Sequence, residues 1–245
     1  MKNQTSILLG ANSEIAKAIA SELVKVDDNQ LVIVGRQLSF YKHQRFTGAK
    51  LFEVSNYQEE SVQKVVNNIA QEEGLPDITR VFCCHGILHS EVIFPEKKLE
   101  DFSADAFSEI LHANTTTPML WLKYLFPLLP KDSLSTWVTF SARVGSISDN
   151  RLGGWYSYRA SKAALNMLLK TAAVEIGRRN KQVKLISFHP GTTDTPLSKP
   201  FQANVPAGQL FTPQFVANQL LSILEHIQHD GQLSYIDWQG QKIDW

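Results

Sequence analysis

Several common features are scarce in this sequence, and each absence removes a class of protein. Lys+Arg and Asp+Glu number 24 each in 245 residues, so the formal charge is zero. A chain that tracks a phosphate backbone carries a basic excess, so nucleic acid is not an expected partner. The two cysteines, Cys83 and Cys84, are adjacent. Neighbouring cysteines make a poor staple, and no CxxC or Cys/His cluster stands at zinc spacing, so neither a disulfide framework nor a metal site is expected. Long apolar runs are missing too. The greasiest stretch, Met119 to Leu129, is broken by Lys123 and Pro127 and is too short for a hydrocarbon layer about 30 Å thick. Met1 to Ser6 is polar and runs straight into a short apolar strand, unlike a secretory leader. A soluble, cytoplasmic protein with no membrane contact is the expectation.

What is present is an ordinary globular balance, 43% hydrophobic and 20% charged, in a chain long enough to bury one sizeable core. Short apolar runs alternate with helical patterns. Strands are expected at 7–9, 31–34, 50–54, 79–84, 136–140, 183–188 and about 234–236. Helices are expected at about 13–26, 58–73, 104–129, 155–179 and 213–229. Between 58 and 73, Val62, Val65, Val66 and Ile69 share one helical face, and Gly74 and Pro76 supply the stop. Strand–helix alternation with near-continuous apolar strands predicts an α/β fold, a doubly wound parallel sheet with helices on both faces. No composition break or internal repeat divides residues 1–245, so one domain is expected. In such sheets ligands sit at the carboxyl ends of the strands, which makes the residues just after each strand the ones to inspect.

After the first strand, Gly10 suits a tight turn, Asn12 or Ser13 can cap the next helix, and Glu14 and Ile15 open it. A helix N-terminus with free N–H groups suits a pyrophosphate; Glu14 would repel one unless its side chain turns to solvent. After the second strand stands Arg36, with no carboxylate beside it. In dinucleotide-binding folds an arginine here accommodates a 2′-phosphate, which favours NADP(H) over NAD(H). Glu53 and Val54 close the third strand, where a side chain can flank an adenine. Farther on, Tyr158 and Lys162 stand four apart in a helical pattern and share a face. An ammonium near a phenol lowers the phenol's pKa from about 10, and a tuned tyrosine can exchange a proton with a carbonyl or hydroxyl.

Taken together, the first-strand loop, Asn114 in the middle helix, Ser141 after the fifth strand, Tyr158-x-x-x-Lys162 and Pro190-Gly191 after the sixth strand resemble the short-chain dehydrogenase/reductase family over essentially the whole chain. The run from Ser141 to Leu165 is similar to the subgroup of C-factor cell-signalling proteins and carbonyl reductases. The resemblance implies a Rossmann-type fold and an oxidoreductase acting on a small carbonyl or secondary alcohol with NADP(H). It implies Tyr158 as general acid/base and Lys162 as holder of the nicotinamide ribose. It further implies a serine hydroxyl orienting the carbonyl, and Asn114 kinking its helix and holding a water in a proton relay. Thr192 or Thr193 would meet the nicotinamide carboxamide, with Cys84 and Gly86 beside the cofactor. Residues 191–211 would form a substrate lid, with Trp155, Leu197, Phe201 and Phe211 as apolar wall. Family members form dimers or tetramers through two long helices, here about 104–129 and 155–179.

The chain departs from the family pattern at three places. Two of the three family glycines are Glu14 and Ala16. The usual Asn-Asn-Ala-Gly is Cys83-Cys84-His85-Gly86, in which His85 reads as a packed loop residue. The usual pair of serines is Ser141-Ala142, so Ala142 occupies the catalytic column unless the strand end bends; Ser146 is a second candidate donor. These departures keep an alternative open, a dinucleotide-binding regulatory or signalling module with little catalysis. An S-adenosylmethionine-dependent methyltransferase on a similar sheet would leave Tyr158 and Lys162 unexplained.

Overall fold

The computed structural model, which describes residues 3–245, alternates strands and helices as the sequence spacing predicts. Strand β1 (Gln4–Leu9), helix α1 (Glu14–Leu23), strands β2 (Asn29–Gly35) and β3 (Lys50–Glu53), helix α2 (Glu59–Ala70) and strand β4 (Ile78–Cys83) form the first half. The second half contains α3 (Ala104–Leu111), α4 (Thr117–Leu125), β5 (Ser135–Phe140), α5 (Tyr156–Arg179), β6 (Val183–His189), β7 (Thr192–Thr193), β8 (Leu210–Phe211), α6 (Pro213–Glu225) and β9 (Leu233–Asp237). The main sheet has the order β3-β2-β1-β4-β5-β6-β9, parallel throughout. The chain lays β2 and β3 to one side of β1, then crosses over and builds outward from β4. That reversal opens a crevice beyond the carboxyl ends of β1 and β4.

Burial on both faces explains why the strands read as unbroken apolar runs. Ile7, Val32, Val81, Trp137 and Leu185 point into a core with residues of α2, α4 and α5. Their neighbours Leu8, Ile33, Phe82, Val138 and Ile186 point into the other core, with α1 and α6. The helices are punctuated by side chains. Ser13 Oγ accepts from Ala16 N at 3.1 Å to cap α1, and Thr212 Oγ1 accepts from Phe215 N at 3.1 Å to cap α6, where Pro213 fits the first helical position.

Two stretches differ from expectation. The helix expected over 104–129 is broken by a π-helical turn at His112–Thr116 and ends in a 3₁₀ turn containing Pro127. The wider turn lets Asn114 reach the chain beyond β4, and π-bulges gather at functional places. The aperiodic stretch 190–211 holds a two-residue parallel ladder, β7 on β8, with a 3₁₀ segment at Lys199–Asn204 between; so short a ladder leaves no periodicity to read. Among the described residues no helix is long and apolar enough to cross a membrane.

The loop after β5 sits hard on α5. A Cβ on Gly145 would come within 2.9 Å of the Lys162 carbonyl carbon and 3.0 Å of Asn166 Nδ2. Gly145→Ala should lower the unfolding free energy by about 1–3 kcal/mol, read as a lower urea midpoint; an unchanged midpoint would show that α5 yields freely.

Candidate active site

The carboxyl ends of β1, β4, β5 and β6 open into one cleft of about 710 Å³. Gly10, with φ +72°, makes the first turn, and a Cβ there would stand 3.1 Å from the Cys84 carbonyl carbon. Gly10, Asn12, Ser13, Glu14 and Ile15 line the cleft where α1 begins. Asn12 ties this loop to the next, its Nδ2 donating to Gln37 O at 2.7 Å. The Glu14 carboxylate does not stand alone: Lys17 pairs with it at 2.7 Å, which offsets the charge that would oppose a pyrophosphate.

Beside this loop, the exposed Arg36 guanidinium lies over the Tyr57 ring, 5.1 Å from its centroid. Tyr57 in turn meets His85 edge-on at 4.4 Å. His85 is buried, stacked at 6.2 Å on Trp121, and burial, aided by Arg36 and Lys162, lowers its imidazole to about 3. It is packed, as the sequence suggested, and it also lines the cleft, its Nε2 buried without a partner. The thiols are free. Cys83 is buried and pushed up to about 12 by desolvation; Cys84, half-buried, lines the cleft with Gly86.

Tyr158 and Lys162 are set by the way α5 starts. Gly153, Gly154 and Trp155 have φ of +63°, +64° and +53°, a left-handed run that costs Trp155 about 1–2 kcal/mol. The loop carrying Glu96 holds it. Trp155 N donates to Glu96 O at 2.6 Å, Ser157 N donates to the Glu96 carboxylate at 3.2 Å, and Ser157 Oγ donates to it as well. That carboxylate is 4% exposed and sits at the positive end of a long helix, where an anion is favoured. In the first and second turns of α5, Tyr158 and Lys162 are both buried and both line the cleft. Lys162 Nζ donates to Phe140 O at 2.8 Å and lies 5.8 Å from the Tyr158 ring centre.

The electrostatics correct one expectation. Lys162 was expected to lower the Tyr158 phenol. Burial instead holds the phenol above its ordinary range, with Tyr235 adding to the effect. Desolvation also lowers Lys162 to about 8, against an opposing pull from Cys83. The ammonium is committed to a carbonyl rather than to the phenol oxygen, so desolvation wins.

Asn114 lies beneath the cleft rather than in its lining. Its Nδ2 donates to Ile87 O at 2.9 Å and to Ser161 Oγ at 3.0 Å, and its Oδ1 accepts from Ile87 N at 2.7 Å. It therefore clamps the segment beyond β4 to α5. Ser141 touches the cleft, but its hydroxyl donates to Asn166 Oδ1 at 2.8 Å. Ser146 shares its hydroxyl with Ser148 at 3.2 Å and does not line the cleft. Ala142 lines it, and its side chain brings no polar atom. Glu53 is exposed, and Val54 N continues the ladder to Gly35 O at 3.1 Å while its side chain enters the core. Neither lines the cleft; Tyr57, four residues beyond Glu53, takes that flank.

On the far wall, Pro190, Gly191, Thr192 and Thr193 line the cleft together with His189. Thr193 Oγ1 and His189 Nδ1 are buried without a partner. Trp155, Leu197 and Phe201 also line it, Trp155 meeting Phe201 at 5.0 Å. Phe211 does not: it packs on Trp238 at 4.4 Å. His89 Nε2 lies 3.2 Å from both Pro196 O and Leu197 O, so the nitrogen carries a proton shared between two acceptors and fastens the segment. Tyr57, Glu96 and His89 escaped the sequence reading because each stands in an irregular loop with no period or motif around it.

A family model described as enoyl-(acyl carrier protein) reductase matches residues 10–226. The chain belongs to the short-chain dehydrogenase/reductase family. This is a family of oxidoreductases. The chain is 24% identical over 245 residues to a benzil reductase ((S)-benzoin forming) of Bacillus cereus, covering 89% of this chain and 93% of that one. It is 28% identical over 132 residues to the C-signal of Myxococcus xanthus, covering 54% of this chain and 74% of that one. Its fold matches that of an NADPH-bound carbonyl reductase from chicken fatty liver with a TM-score of 0.80 at 18% identity, over the whole of both chains.

If Glu96 seats α5, Glu96→Ala should cost about 1–3 kcal/mol by leaving Ser157 N unpaired in a buried place. The melting temperature should fall about 2–4 °C per kcal/mol. A stability equal to that of the unaltered protein would show that the carboxylate carries no load there.

Proposed function

We propose that this short-chain dehydrogenase/reductase reduces the carbonyl of a small apolar substrate with NADPH. The observation that carries the reading is the burial of Tyr158 and Lys162 side by side at the floor of a cleft whose opposite end is the Gly10 turn and the start of α1. A cofactor fits the residues present: Gly10, at φ +72° and with the Cys84 backbone close by, makes the tight turn that aims the α1 N-terminus into the cleft, and Thr193 Oγ1 is an unpartnered buried hydroxyl. The α1 N-terminus would hold the pyrophosphate, Arg36 the 2′-phosphate, Lys162 the ribose, and Thr192 or Thr193 the carboxamide. When bound, the nicotinamide supplies the hydride.

Tyr158 acts as the acid. Its hydroxyl proton passes to the carbonyl oxygen and leaves a phenolate facing the Lys162 ammonium. A phenol kept protonated by burial suits donation, and so reduction rather than oxidation. Asn114 supports the proton path by fixing the segment beyond β4 against α5. Residues 191–211 act as the lid, fastened by His89, and exclude water from the reaction. Met167, Leu168 and Val174, exposed on α5, support assembly of copies through that helix. The missing hydroxyl at Ala142 favours the second reading, a dinucleotide-binding module without turnover.

Purified protein mixed with NADPH and benzil, the compound named for the relatives, should consume NADPH, while Tyr158→Phe should abolish consumption and keep NADPH affinity. Binding with no consumption on a panel of ketones and aldehydes would favour the module instead. Arg36→Asp should weaken NADPH binding at least about 10-fold, from the loss of a charge-assisted phosphate contact, with NADH affinity unchanged; equal losses for both would remove Arg36 from its role. Because burial lowers Lys162 to about 8, the charged form is present below that pH and lost above it. kcat/KM for reduction should therefore hold through pH 6–7 and decline as pH rises through about 8, and a rise there would contradict the role of Lys162.

A further inference from the structure

The carbonyl oxygen in this cleft needs a hydrogen-bond donor besides Tyr158, and no free side-chain hydroxyl stands at the end of β5 to provide one. The Ala142 side chain has none, the Ser141 proton goes to Asn166, the Ser146 hydroxyl lies outside the lining, and the Arg143 guanidinium is engaged by Asp237 at 3.1 Å. We propose that His189 is the catalytic hydrogen-bond donor to the substrate carbonyl, in place of the hydroxyl that Ala142 lacks. The proposal rests on the carbonyl-reductase reading above.

Placement comes first. Side chains alternate along a strand. Ser187 faces α5, its hydroxyl donating to Asn166 Oδ1 at 2.6 Å, so His189, two residues on, faces α5 as well. Two residues of strand rise about 6.6 Å and four of helix about 6 Å. Since β6 climbs towards the cleft while α5 descends from it, His189 stands level with Lys162, one turn below Tyr158. Pairing of β5 with β6 brings the histidine beside the Ser141 backbone, whose N donates to Phe188 O at 2.8 Å. All three side chains, from His189, Lys162 and Tyr158, line the same cleft.

Chemistry comes second. The ring faces Arg143 and Asp237, which pair with each other at 3.1 Å, so it meets a compensated ion pair and not a net charge. Burial lowers the imidazole to about 4, Arg143 acting in the same direction and Asp237 against it. At neutral pH the ring is therefore neutral and carries one N–H. Nδ1 is enclosed with no partner. An enclosed lone pair costs less than an enclosed N–H, so the proton sits on Nε2, the nitrogen a ligand can reach. A neutral Nε2–H donates to the oxygen as negative charge develops there and gives up no proton itself; the transferred proton is that of Tyr158.

The test compares the wild type, His189→Ala and His189→Ala/Ala142→Ser with NADPH and benzil. Loss of one such donor lowers kcat about 100-fold or more. His189→Ala should show that loss with unchanged NADPH affinity and melting temperature, and Ala142→Ser should return at least about 10-fold of it by restoring a donor to the same oxygen. A kcat for His189→Ala within a few-fold of wild type, or no recovery in a folded double variant, overturns the proposal. A second readout needs no turnover. In ¹⁵N-histidine-labelled Tyr158→Phe protein loaded with NADPH, benzil should shift the His189 Nε2–H signal. If the wild type consumes NADPH and this signal does not move, the proposal alone falls. If there is neither consumption nor shift, it falls together with the carbonyl-reductase reading. A shift without consumption supports the donor and overturns turnover.

Discussion

The chemistry of the cleft depends on one buried carboxamide oxygen. Asn166 Oδ1 accepts hydrogen bonds from Ser141 at 2.8 Å and Ser187 at 2.6 Å. One atom of α5 is thereby tied to the ends of two neighbouring strands. Apolar packing alone would let a helix slide along a sheet at small cost, because burial is non-directional. Two directed bonds in a buried place fix its height. Lys162 and Tyr158, one and two turns above, take their positions from that height, and so does the Gly145 contact.

At its other end the same helix is set by a charge. The Glu96 carboxylate meets the N-terminal amides, and Asn114 joins α5 to the chain beyond β4 through Ser161. With Ser141 and Ser187, these attachments come from four different segments of sequence. Together they exclude water from Tyr158 and Lys162, and that dryness decides the sign of both pKa changes. A phenol that keeps its proton and an ammonium that releases one near pH 8 both follow from desolvation by burial.

Most of the fold was legible in the sequence because burial on both faces imposes continuous apolar strands, and helices carry their own period. The strand-tip residues were legible for the same reason: once strands are placed, Gly10, Arg36 and Pro190 fall at their ends, while Tyr158 was read from its helical spacing to Lys162. Glu53 and Val54 fell at such an end too, but a strand's last residues still alternate between solvent and core, and proximity to the tip does not direct a side chain into the cleft. Glu96 and His89 were hidden because their partners lie 61 and more than 100 residues away. No local pattern encodes contacts of that span. The π-turn at Asn114 was hidden from the residue pattern, because the helical period passes through it almost unbroken, and only the family resemblance implied a kink there.

The left-handed run at Gly153, Gly154 and Trp155 makes the two sides of the cleft wall unequal in their freedom to vary. Trp155 holds its ring in place through a backbone shape that only glycine, or an occasional asparagine or aspartate, adopts at little cost. Exchanging it for another bulky side chain keeps the strain without its present contacts, and exchanging it for glycine relaxes the turn but removes the wall. Phe201, opposite it in a 3₁₀ segment of ordinary handedness, carries no such restriction. Among relatives the Phe201 side of the cleft is therefore free to diverge, while the Trp155 side stays nearly fixed.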